Sequence, residues 1–120
     1  MTTRKETNNP RWPGYIVMPS YMKFPALISW EEAIDTTKSL KKSVGIGEFY
    51  KSMLPAAISF VEEWHIIGLN ENEDGSPILD KEGKPIKVDY CNFPASAALV
   101  SFLVECVSSL YTETNRTDPN

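Results

Sequence analysis

Histidine occurs once in this chain, at His65, and cysteine twice, at Cys91 and Cys106. A lone histidine cannot build a histidine metal cage, and it has no evident partners for a nucleophilic triad. Basic residues are in the minority. Twelve Lys and Arg against sixteen Asp and Glu give a net charge of −4. Duplex nucleic acid is therefore not expected as a partner, because phosphate binding needs a positive footprint. No stretch reaches the roughly 18 consecutive apolar residues of a membrane-spanning helix, so no membrane role is expected. The opening MTTRKETNNP lacks the apolar core of a secretory signal. From this we expect reduced thiols and a small, soluble, intracellular protein. No cofactor is expected.

Catalytic signatures are missing as well. The chain contains no G-x-x-x-x-G-K-[ST], no G-x-S-x-G and no H-E-x-x-H. Asn70, Asn72, Asp74 and Gly75 begin like a calcium loop, but the twelfth position is Lys81, where a bidentate carboxylate is required. Read on a helix, Glu62 and Glu63 point about 100° apart and do not converge as an acid–base pair. The chain is therefore expected not to be an enzyme.

What is present is one domain's worth of chain: 120 residues, 42% of them hydrophobic. Residues 1–13 are polar, hold Pro10 and Pro13, and read as a flexible basic arm with one aromatic, Trp12. Trp12 either folds back as an anchor or docks on a partner. Gly14 to Met18 is a short β-prone run, suited to an edge strand or an extended segment. Ser29-Trp30-Glu31-Glu32 has the form of a capping box opening a first helix, with Trp30, Ala33, Ile34 and Thr37 on one face. Lys38, Lys41 and Lys42 suit its last turn, and Gly45 and Gly47 break it. A second helix is predicted from the repeat of Ile46, Phe49, Tyr50, Met53, Ala57, Phe60, Val61 and Trp64, with Pro55 inside it.

Residues 70–90 read as a polar loop with two Gly–Pro turn signals and a marginal two-stranded ribbon. A third helix is predicted to open at Asn92, with Pro94 in its first turn. Ala95, Ala98, Leu99, Phe102, Leu103, Cys106 and Leu110 form its stripe, and Val100, Val104, Val107 and Tyr111 widen it. That arc is broader than a surface helix needs. It is either a face for a partner or a helix buried on several sides. The expected fold is thus mainly α: three or four helices over residues 14–113, with the arm, a polar loop or short ribbon, and a frayed tail over 114–120. Phe60, Val61, Trp64, Leu99, Phe102 and Leu103 are expected to pack together.

Leu54-Pro55, then Val61 through Leu69, a Gly/Pro-containing polar loop, and Asn92-Phe93-Pro94 opening a last helix form an ordered pattern over roughly residues 24–111. This pattern resembles small morphogenesis proteins of tailed phages, tail assembly chaperones in particular. The resemblance implies a largely helical protein that binds a tail protein, such as the tape-measure protein, and has no catalytic residues. The expected contact residues are Trp12, Val100, Val104, Val107 and Tyr111, with a second copy of the chain as another candidate occupant of that face. Two other roles stay open: a virion structural or adaptor protein attached by the arm, and a small host-directed regulator that binds an enzyme.

Overall fold

The computed structural model describes residues 1–38 and 46–116, with side chains at 1–37 and 51–114. The element order is β1 (Thr2–Glu6), β2 (Gly14–Pro19), α1 (Phe24–Lys38), α2 (Ile46–Ser59), β3 (Glu63–Ile66) and α3 (Ala97–Arg116). The three strands form one antiparallel sheet in the order β1-β2-β3. This corrects the expectation of a mainly helical domain: among the described residues the fold is a mixed α and β domain.

The sheet is built around β2. Ile16 and Met18 are buried while Tyr15 and Val17 are half-exposed, the period-two alternation of a strand with one wet face. The GYIVM run is therefore a central strand. On one side β1 pairs from Thr2↔Pro19 to Glu6↔Tyr15, and on the other β3 pairs from Gly14↔Ile66 to Val17↔Glu63. Residues 2–6, expected in an arm, are thus a strand of the sheet. Pro19 costs no hydrogen bond there. Ser20 N–H donates to Met1 C=O and Thr7 N–H to Gly14 C=O, so the residues between them alternate, and Pro19 falls at a position that makes no bond to β1.

The predicted second helix stops earlier than its apolar period suggests. Val61 N–H still donates to Ile58 C=O, a helical partner, but Glu62 N–H donates to Val17 C=O at 2.8 Å. The chain changes partners between these two amides. Glu63, Trp64, His65 and Ile66 then run as β3, because the free edge of β2 offers a ladder that helix propensity cannot match. Glu62 and Glu63 accordingly do not share a helix.

The helix starts also move. Pro25 sits in the first turn of α1, where its missing N–H costs nothing, so α1 opens ahead of Ser29, whose side chain is exposed. The cap of α3 is Ser96, whose Oγ accepts from Leu99 N–H at 3.3 Å. Asn92 instead closes a loop with Asp89, each side-chain oxygen accepting from the other's amide at 2.9 Å. The side chains of Lys38, Ile46, Phe49 and Tyr50, and residues Lys41, Lys42 and Gly45, lie outside the described residues.

One core cluster joins sheet and helices. Ile16, Met18, Ile66, Trp30, Leu99, Leu103 and Val107 are its largest fully buried side chains. Of the expected core group, Phe60, Leu99 and Leu103 are buried, and Val61, Trp64 and Phe102 are half-buried against them. Trp30 meets Phe60 edge-on, with ring centroids 6.0 Å apart. No described helix is long and apolar enough to cross a membrane.

Candidate functional site

A groove of about 660 Å³ opens between the end of α2, β3 and the extended segment 86–90. Its apolar lining comes from Pro55, Ile58, Val61, Trp64, Ile86 and Val88; Glu62, Glu63, Asp89 and Lys87 contribute the charges. Tyr90, 44% exposed, stands at one end. It also lines a second hollow of about 440 Å³, together with Leu54, Phe93, Pro94, Ala97 and Val100 among others. Two apolar hollows therefore share one exposed aromatic residue in their lining. Trp64 and Phe93 pack edge-on between them, with centroids 5.9 Å apart.

Local sequence explains the walls. Segment 86–90 alternates half-buried Ile86, exposed Lys87, buried Val88 and exposed Asp89, as a strand would, yet it pairs with no strand among the described residues. Asn92 holds it in place by donating to Lys87 C=O at 2.6 Å. On the opposite wall, the edge of β3 away from β2 is covered by one side chain. Asn70 Oδ1 accepts from Ile66 N–H at 3.1 Å, and Asn70 Nδ2 donates to Trp64 C=O at 2.8 Å.

A second cluster lies on the wet face of the sheet. His65 Nδ1–H donates to Glu71 Oε2 at 2.8 Å and Nε2–H donates to Glu63 Oε1 at 3.0 Å. A carboxylate on each nitrogen gives both N–H groups of the imidazolium an acceptor, which favours the charged form. The Glu63 bond, and then Glu71, raise the His65 pKa above its ordinary value against a burial that lowers it. The ring stacks on Tyr15 at 4.7 Å, and the Arg4 guanidinium sits 3.6 Å from the Tyr15 centroid, bound in turn to Glu6. Both His65 nitrogens are engaged by carboxylates of the chain itself. Burial pushes the Cys106 thiol up to about 11, so it stays protonated and unreactive near neutral pH. Among the described residues no three His, Cys, Asp or Glu side chains converge as a metal site.

The sequence-derived contact residues are scattered. Trp12 folds back on the domain: its Nε1–H donates to Ser96 Oγ at 3.1 Å, and its ring lies over Gly68, where a Cβ would come within 3.4 Å. Val107 is fully buried and Val100 is 3% exposed, so the part of the α3 face they form is interior. Val104 is half-buried beside Lys5 at a separate polar groove. Tyr111, also half-buried, donates its hydroxyl to Glu31 Oε2 at 3.1 Å. Only Val100 reaches the Tyr90 region, at the floor of the smaller hollow. Ile58 and Tyr90 gave no signal in the sequence, and Asn70 and Val88 signalled only a failed calcium loop and a marginal ribbon, because their shared groove joins a helix end, a turn and a loop. No protein-family model, curated protein or solved structure matches this chain.

Proposed function

We propose that this protein is a non-enzymatic binding module, of the tail-assembly-chaperone kind, that captures an apolar segment of a partner protein in the groove around Tyr90. The observation that carries this reading is the pair of apolar hollows sharing an exposed tyrosine, a shape suited to two side chains of one bound segment. Part of the pattern behind the chaperone resemblance gathers here: Leu54, Pro55, Val61, Trp64, Phe93 and Pro94 line the two hollows, while Asn92, Leu110 and Tyr111 do not. The surface offered to a client is thus this groove, in place of the α3 face. A virion adaptor held by residues 1–13 has less support, because β1 commits the backbone of residues 2–6 to β2 and Trp12 is bound to Ser96.

The test uses peptides tiled across a tape-measure protein of the same phage, titrated against the wild type and Tyr90→Asp. Tyr90 is exposed enough for the variant to fold, which circular dichroism would check. Binding by the wild type that is lost in the variant supports the reading. Binding that ignores Tyr90→Asp, or no binding at all, refutes it. Mass spectrometry of purified particles separates the roles, since a chaperone is absent from them and an adaptor is present in fixed copy number.

A further inference from the structure

The groove has an unpaired strand edge as one wall. Tyr15↔His65 and Pro13↔67 are the hydrogen-bonded positions of the β2–β3 ladder, as the donation from Ile67 N–H to Pro13 C=O shows. The N–H and C=O groups of Trp64 and Ile66 therefore point away from β2. Ile66 C=O is taken by the amides of Leu69, Asn70 and Glu71. Trp64 C=O and Ile66 N–H are taken by the Asn70 carboxamide alone. Trp64 N–H pairs with no group among the described residues. An amide side chain that accepts from one strand residue and donates to another two positions away copies what a neighbouring strand would do.

We propose that the groove binds its partner by strand addition: an extended segment lies between β3 and residues 86–90, displaces the Asn70 carboxamide, and pairs with Trp64 and Ile66. The inference rests on the groove reading above and specifies its mode and its partner chemistry. Alternate side chains of an added strand point to opposite faces. One set enters the apolar hollow of Ile58, Val61 and Val88. The other set meets the groove's charges, where Glu62 and Asp89 outnumber Lys87 and Glu63 is already paired with His65. The partner is accordingly an extended segment that alternates aliphatic and basic residues. Asn70 keeps the edge closed when no partner is bound, which guards against edge-to-edge association.

The probe is a capped hexapeptide of alternating valine and lysine, alongside the same peptide N-methylated on alternate backbone amides and a version with glutamate for lysine. We expect the parent peptide to bind and the Trp64 amide to become protected from hydrogen exchange. N-methylation should weaken binding about tenfold, the equivalent of one or two backbone hydrogen bonds. The glutamate peptide should bind at least as much more weakly. Asn70→Ala, if folded, should bind the parent peptide several-fold tighter, since no carboxamide has to leave. Equal binding of the N-methylated peptide with no change at Trp64 overturns strand addition while leaving the groove reading intact. Equal binding of the glutamate peptide overturns the assigned partner charge. Failure of this peptide and of every tiled tail peptide overturns the groove reading and this inference together.

Discussion

Ser96 holds two parts of the fold at once, and a double-mutant cycle can measure the link. Its Oγ caps α3 through Leu99 N–H and also accepts from Trp12 Nε1–H. Ser96→Ala removes the cap, worth about 1 kcal/mol, and leaves the half-buried indole N–H without its protein partner. That second loss is about 1 kcal/mol, at the low end for an unmade bond because water can reach Trp12. The expected total is about 2 kcal/mol. Trp12→Phe keeps most of the ring over Gly68 and loses the donor, costing about 1 to 2 kcal/mol. The double variant should cost less than the sum of the two, by about 1 kcal/mol, because the Trp12–Ser96 bond can be lost only once. Urea unfolding of the four proteins, with m-values held in common, reads this directly. A coupling below about 0.3 kcal/mol would mean that Trp12 does not sit on Ser96.

Three further outcomes are expected. Because the His65 pKa is raised in the folded protein, its contribution to stability is fully present below the unfolded value near 6.5 and is lost as pH rises through the folded value. An NMR titration should find the His65 pKa raised, and Glu71→Gln should lower it; an unchanged value in that variant would remove Glu71 from the account. Gly14→Ala should destabilise by more than about 2 kcal/mol, since Gly14 has φ +134° and a Cβ there would strike the His65 carbonyl oxygen; thermal melting within about 1 kcal/mol of wild type would refute this crossing geometry. Val107→Asp should unfold the protein or cost at least about 3 kcal/mol, because it buries a charge at a fully buried position. A folded Val107→Asp with near-normal urea stability would instead restore the α3 face as a surface.

The sequence was most legible where burial and period agree. Leu99, Leu103, Cys106 and Leu110 of the predicted α3 stripe are buried, whereas Ala95 and Ala98 are exposed, and residues 14–18 were legible as a β-prone run but not as a central strand. β1 was not readable. Its half-buried positions are Thr3 and Lys5 and its exposed ones Arg4 and Glu6, so a strand with inward and outward faces carries no apolar alternation. Only a neighbour can make TTRKE a strand, and the neighbour is β2. The segment 61–66 was ambiguous rather than silent. Val61 and Trp64 continue the three- and four-residue steps of α2, while Trp64 and Ile66 are two apart, as on one face of a strand. Local pattern permits both, and the unpaired edge of β2 decides. That decision also makes the groove. Had α2 run on through Trp64, Val61 and Trp64 would have continued its apolar stripe, and Glu62 and Glu63 would have lain on its surface. Because the chain turns into β3 at Glu62, Trp64 has an N–H that pairs with no group among the described residues, and Asn70 can reach Trp64 C=O and Ile66 N–H to cover the edge. The misread helix end and the candidate site are therefore the same event in the chain, and a variant that restored the helix would be expected to lose the groove with it.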